Sequence, residues 1–187
     1  MNPDPPTSVS GFTHVADELI YDGFVIDVVN GVFTTPEGER IHRDIVRHPG
    51  AVGVVALDGD EVVLVRQYRP AIDDELLEIP AGKRDIEGEP PERTAVRELE
   101  EEVGLRPATI ERLGGMYCSV GFCDEYIHLF LATDLEPVPS KHDGPEERHM
   151  AVERWSLDEV SAGLSDGSIT DAKSLVALGA VLRRLGR

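Results

Sequence analysis

At 187 residues, with 18 Lys+Arg against 36 Asp+Glu and a formal net charge of −18, the chain is long enough to bury one core. It is too acidic to hold nucleic acid or an anionic membrane surface by charge alone. No run approaches the roughly 20 apolar residues of a membrane helix, and the two cysteines, Cys118 and Cys123, are too few for a structural zinc site and are expected to be free thiols.

The start, MNPDPPTSVSG, lacks the basic and apolar regions of a secretion signal. Residues 1–12 read as a disordered polar leader, and the cytoplasm is the expected compartment. Residues 13–48 read as a small N-terminal β-region. Phe24 to Phe33 and Ile41 to Arg47 have strand composition, separated by the turn Thr35-Pro36-Glu37-Gly38. Ala51 to Leu57 and Glu61 to Tyr68 flank Asp58-Gly59-Asp60, a short-range hairpin signal. Leu76 to Ile79 is a further short strand, stopped by Pro80.

Pro90-Pro91 opens a helix, since proline suits a first turn whose N–H groups lack partners anyway. Its apolar stripe is Thr94, Ala95, Leu99 and Val103, and Gly104 supplies a C-terminal stop. Strands follow around Ile110 to Cys118, Tyr126 to Thr133 and Ala151 to Trp155, with a charged loop from Lys141 to His149. Helices from Leu157 to Leu164 and from Asp171 to Leu185, the latter capped by Thr170 or Asp171, close the chain. Mixed strands with a few helices predict an α/β (α+β) fold, an α/β/α sandwich.

Within the first helix, Glu98, Glu101 and Glu102 stand at i, i+3 and i+4 and share one face. Like charges at that spacing repel, by a few tenths of a kcal/mol per pair. An acidic face beside a glycine-containing loop offers the hard oxygen ligands that Mg²⁺ takes, with substrate phosphates completing its shell. In an acidic protein such a face also occurs simply as a solvated surface, and the spacing of the surrounding residues decides between the two. Glu89 lies seven residues ahead of Arg97, and Arg97-Glu98-Leu99-Glu100-Glu101-Glu102-Val103-Gly104-Leu105 follows. This resembles the Nudix box, G-x5-E-x7-R-E-U-x-E-E-x-G-U with U aliphatic, at every position from Glu89 to Leu105. Six residues rather than five separate Gly82 from Glu89. One insertion in that loop leaves the helical ligands unmoved.

The resemblance implies a Nudix fold over 49–187, a mixed sheet between helices. It also implies Mg²⁺ (or Mn²⁺) as cofactor, held by Glu98, Glu102, the main-chain oxygen of Ala81 and, assisting, Glu101. Arg97 is implied to orient the box carboxylates. The family chemistry is water attack on a phosphorus of a nucleoside diphosphate derivative.

Over nearly its full length the chain is similar to the ADP-ribose pyrophosphatase branch. The residues that carry this are His48-Pro49-Gly50-Ala51-Val52, Arg66-Gln67-Tyr68-Arg69, Glu78-Ile79-Pro80-Ala81-Gly82, Ser119-Val120-Gly121-Phe122-Cys123-Asp124-Glu125 and Ile169-Thr170-Asp171-Ala172-Lys173. The resemblance implies hydrolysis of ADP-ribose to AMP and ribose 5-phosphate, with Arg69, Gln67, Glu125 and Arg47 binding the substrate. An Arg fork suits a diphosphate. Val120 stands where the branch usually has the proline that marks ADP-ribose specificity, so another nucleoside diphosphate sugar such as GDP-mannose is the alternative substrate. A Nudix-like domain that only binds ligand is a third reading, against which stand the retained Glu98, Glu101 and Glu102. The water-activating base is expected among Glu101, Glu146 and Glu147, because a carboxylate bound to a cation is a poor base and the loop carrying Glu146 and Glu147 can close over a bound diphosphate. A homodimer built on residues 13–48 is also implied, acting on a small molecule, with no nucleic acid or membrane partner.

Overall fold

The β-branched runs of the first fifty residues pair into an antiparallel sheet, β1 (Thr13–Asp22), β2 (Asp27–Thr34) and β3 (Arg40–Arg47), in that order. It belongs to the first of two units into which this computed structural model divides; the model describes residues 10–141 and 147–187. The first unit takes Met1–Gly50, Asp85–Gly88 and Tyr117–Tyr126, and the second takes Ala51–Arg84, Glu89–Met116 and Ile127–Arg187. The strand expected from Phe24 to Phe33 begins three residues late. The Gly23 N–H donates to the Ile26 carbonyl (3.1 Å), so Phe24, Val25 and Ile26 form the connection from β1 rather than part of β2. β1 is a strand that the alternation of the sequence did not reveal, because all ten of its residues are exposed.

In the second unit β4 (Ala51–Asp58) is central. Its near-continuous apolar run is what a strand buried on both faces requires. It pairs in parallel with β9 (Tyr126–Pro137), Val54 opposite Phe130, and antiparallel with β5 (Glu61–Arg69). The strand order is β10-β5-β4-β9-β8, where β8 is Leu105–Tyr117 and β10 is Ala151–Ser156. β6 (Asp74–Glu78) pairs antiparallel with β5, and β7 (Ala81–Lys83) antiparallel with β4. The β4–β5 hairpin forms as expected, with Asp58 opposite Glu61 and Gly59, at φ +64°, making the reversal.

Alternation along β4 and β9 fills two cores. Val52, Val54, Ala56, Phe130 and Ala132 pack with Ala95 and Leu99 of α1 (Pro91–Val103). Ala51, Val55, Leu129 and Leu131 pack with α2 (Leu157–Asp166) and α3 (Ala172–Arg184) through Leu157, Val160, Ala177, Leu178 and Val181. The mixed sheet between α1 and the α2/α3 pair is the expected α/β/α sandwich. The caps follow the local chemistry. Pro91 stands in the first turn of α1, and Gly104 ends it at φ +66° with its N–H on the Glu100 and Leu99 carbonyls. A Cβ at Gly104 would also lie 2.8 Å from the Val138 carbonyl oxygen, so glycine is required there twice over. Ser156 and Glu159 form a capping box on α2, and Asp171, not Thr170, caps α3. Among the described residues no helix is long and apolar enough to cross a membrane.

Candidate active site

The box helix α1 presents two faces. Ala95 and Leu99 are buried in the core, while Glu98, Glu101 and Glu102 stand on another face, and of these Glu98 and Glu102 lie against β7. Glu102 is only 7% exposed, and its Oε2 accepts the Ala81 N–H at 2.9 Å. Glu98 lies over the next residue: a methyl built on Gly82 would overlap its carboxylate. The glycine therefore makes a cradle that the Glu98 carboxyl group fills, and α1 is laid with two acids directly against the Ala81-Gly82 backbone. The close approach needs a residue without a side chain.

Arg97 gathers the neighbouring acids. Its Nη1 donates to Glu98 Oε1 at 2.7 Å and to Glu101 Oε2 at 3.1 Å, and its Nη2 lies 3.4 Å from Glu89 Oε2. Thr94, fully buried, fixes Glu89 by donating its hydroxyl to the same oxygen at 3.0 Å. Burial acts to lower the Arg97 pKa, and Glu98, Glu89 and Glu101 together outweigh it, so the guanidinium is held above its ordinary value. A groove of about 480 Å³ runs along α1 past Arg93, Val96, Arg97, Glu100, Glu101 and Arg106. It meets this cluster at Glu89, Arg97 and Glu101, while Glu98 and Glu102 look toward β7.

Among the described residues no three His, Cys, Asp or Glu side chains form a metal cage. The oxygen donors that do converge are two helical carboxylates, Glu98 and Glu102, laid against the Ala81-Gly82 backbone. This fits Mg²⁺, which usually takes one or two carboxylates with waters and substrate phosphates rather than an all-protein cage. Glu146 lies outside the described residues, as does the side chain of Glu147, whose backbone opens a 3-10 turn, Glu147–His149. Of the three candidate bases, only Glu101 is therefore located.

Arg69 ends β5. Its Nε and Nη2 donate to both oxygens of Glu78, at 2.6 and 2.5 Å, and Glu78 is 1% exposed. The paired Glu78 carboxylate raises the Arg69 pKa against the effect of burial. Gln67, nearly buried, lies two residues back on the same face of β5. The sequence reading gave Glu78 and Lys173 no role of their own, yet both are buried and joined by an ion pair. The signal was present: a glutamate inside the apolar run Leu76-Leu77-Glu78-Ile79 must find a cation when the run is buried.

The first unit holds the other candidates. Arg47 donates to both oxygens of Asp17, at 2.9 and 3.0 Å, and to Asp124 at 3.1 Å. Asp124 also accepts the His48 N–H, and Glu125 lies 3.6 Å from His48 Nδ1. That Nδ1 accepts the Gly50 N–H at 3.0 Å, so the neutral imidazole carries its proton on Nε2. Arg47 and Glu125 thus converge around His48, with Arg47 already committed to two carboxylates. Val120 is 76% exposed in a turn closed by the Phe122 and Cys123 N–H groups on the Ser119 carbonyl. Valine in place of proline costs no packing there.

The ADP-ribose pyrophosphatase of Bacillus subtilis (strain 168) is 37% identical over 165 residues, 88% of this chain and 89% of that protein. The ADP-ribose pyrophosphatase of Mycobacterium tuberculosis (strain ATCC 25618 / H37Rv) is 33% identical over 171 residues, 91% of this chain and 83% of that one. A solved structure described as an ADP compounds hydrolase superposes with a TM-score of 0.80 at 24% identity, covering 94% of this chain and 96% of its own, which speaks for the fold. The family model of the NUDIX domain matches residues 47–177, a span that takes in the Ala81-Gly82 cradle, the acids of α1 and Arg69. With its box helix, its sandwich and these relatives in agreement, the chain belongs to the NUDIX family.

Proposed function

We propose that the protein hydrolyses ADP-ribose to AMP and ribose 5-phosphate with Mg²⁺ as cofactor. The observation that carries this reading is the seating of Glu98 and Glu102 on the Ala81-Gly82 backbone. Glu98, Glu102 and the Ala81 main-chain oxygen would hold the cation, with Glu101 beside them. Bound there, it supplies a water of lowered pKa and neutralises charge on the phosphate oxygens. Arg97 keeps the mutually repelling carboxylates in register before the cation arrives. Arg69 meets the diphosphate with the part of its fork that Glu78 leaves open, and Gln67 lines the same face. Arg47 and Glu125 contact the remainder of the substrate, and Glu101, Glu146 or Glu147 takes the proton of the attacking water. The curated relatives named for ADP-ribose support this substrate over GDP-mannose. The test is product identity from ADP-ribose and GDP-mannose, with and without EDTA. A kcat/KM a hundredfold higher for GDP-mannose would reassign the substrate, and turnover undiminished by EDTA would remove the metal.

The same reading divides the chain into a leader over 1–12, a dimer-forming β-region over 13–48 and the hydrolase domain over 49–187. Supporting the dimer, β1 is an edge strand carrying Val15, Leu19, Ile20 and Tyr21, each more than half exposed, and Phe24 beyond it is 98% exposed. An edge with no strand partner among the described residues and that much apolar surface calls for one, and a second copy is the partner proposed.

A further inference from the structure

Glu78 and Lys173 are both buried, and neither is required by the chemistry proposed for the box. Lys173 donates to Glu78 Oε2, the oxygen that also takes Arg69 Nη2, and its Nζ lies 3.0 Å from Asp171 Oδ2. The turn that carries Lys173 is itself anchored. Asp171 accepts the Ser174 N–H at 3.0 Å and the Ser174 hydroxyl at 2.6 Å, and that hydroxyl accepts the Ile79 N–H at 2.9 Å. The first turn of α3 is therefore fastened to the end of β6 by an ion pair at Glu78 and a hydrogen bond at Ile79. Arg69 reaches out from this knot, 41% exposed, and its Nη1 has no protein partner among the described residues.

We propose that the buried Glu78–Lys173 pair is a positioning device for Arg69, holding its guanidinium with Nη1 turned outward for the substrate diphosphate. The proposal rests on the reading of Arg69 as a diphosphate contact. A bidentate Arg–Glu pair by itself is a closed, neutral unit, whose carboxylate cancels much of the field that an approaching phosphate feels. Lys173 draws on the same carboxylate from the buried side. Glu78 then serves as a rigid seat for two guanidinium nitrogens, while its negative charge is shared with a second cation. The two cations are balanced by Glu78 and Asp171, so the knot stays neutral inside the protein. Without Lys173 it would carry a net negative charge, and Arg69 would be drawn inward, away from an anionic substrate.

The experiment is a double-mutant cycle between Lys173 and Arg69, read as KM and kcat for ADP-ribose at saturating Mg²⁺, with thermal unfolding alongside. Lys173→Met is expected to raise KM at least tenfold with kcat within about threefold, the split for lost binding common to ground and transition states. Arg69→Ala should raise KM as well, and Lys173→Met added to Arg69→Ala should raise it no further, because Lys173 acts through Arg69. If Lys173→Met does not fold, the double variant Glu78→Gln/Lys173→Met removes both buried charges. It should recover wild-type unfolding behaviour while its KM matches that of Arg69→Ala. A wild-type KM in Lys173→Met or in Glu78→Gln/Lys173→Met, or a Lys173→Met effect undiminished in the Arg69→Ala background, overturns the proposal. Wild-type protein that turns over no ADP-ribose, or an Arg69→Ala variant with unchanged KM, overturns instead the reading beneath it.

Discussion

Replacing Gly82 with alanine isolates the placement of one carboxylate. Gly82 sits in β7 opposite Val52, and its backbone is not in the left-handed region, so alanine is sterically compatible with the local conformation. The added methyl overlaps only the carboxyl end of Glu98, a flexible side chain that can rotate away. Two small stability terms oppose each other. Stiffening the unfolded chain contributes about 0.4–1 kcal/mol, and the half-buried Glu98–Arg97 ion pair, if lost, costs about 1 kcal/mol or less. The net change should stay within about 1 kcal/mol, or roughly 4 °C in Tm for a chain of this size. Activity has no such compensation. A carboxylate moved off the Ala81-Gly82 backbone no longer serves a cation there, and losing one preorganised electrostatic contact costs about 10²–10³ in kcat, some 3–4 kcal/mol. The assay is kcat and the Mg²⁺ concentration for half-activity, beside a melting curve. A Gly82→Ala enzyme with wild-type kcat and unchanged Mg²⁺ requirement would refute the cradle argument, however stable it proved.

Glu98→Gln and Glu102→Gln should each lower kcat by about 10³ or more while the fold persists, because they remove a ligand and relieve helix-face repulsion; wild-type activity at saturating Mg²⁺ would sink the ligand role. Glu146→Gln and Glu147→Gln, compared across pH, should include one variant that loses about 10² or more in kcat with KM little changed, the scale of a general base; if both keep full activity, Glu101 holds that role. His128, buried on β9 beside the Arg84 and Arg112 charges, has its pKa pushed down to about 4, chiefly by burial. The unfolded chain, at about 6.5, binds this proton first, so stability is complete above that pH and is lost as pH falls toward 4, by about 2–3 kcal/mol. His128→Asn should flatten that part of the pH–stability curve, and an unchanged curve would contradict it. Sedimentation at micromolar concentration should show a dimer, which a 20.5 kDa species would exclude.

The parts of the molecule that were legible in the sequence are those in which a local rule sets the outcome. Proline at the start of α1 and glycine at its end mark a helix whose ends need no distant partner, and Asp58 to Glu61 closes a hairpin on its own. The acidic stripe could be placed on one face from spacing alone. What spacing cannot supply is depth. Glu102 and Glu101 are adjacent on that face, yet one is buried against Ala81 and the other is half exposed on Arg97, because β7 approaches only one flank of the helix. β1 escaped notice for the opposite reason: with every residue exposed it carries no inward face, and therefore none of the alternation by which strands are read.

The net charge of −18 bears on the same distinction. An anionic substrate must approach an anionic protein, and two of the cations near the box are already held by acids. Arg97 is held among Glu89, Glu98 and Glu101, and Arg106 is held by both oxygens of Glu100. Arg69 differs because the acid that holds it is buried and shared with a second cation, and its bonds to Glu78 use Nε and Nη2, which leaves Nη1 for the substrate in the arrangement proposed. In so acidic a chain, the cation fit to receive a phosphate is one whose counter-charge has been turned inward. That arrangement requires a lysine more than a hundred residues away in sequence from the arginine it serves. No motif spacing announces such a pair, and only the packing of α3 against the end of β6 brings it together.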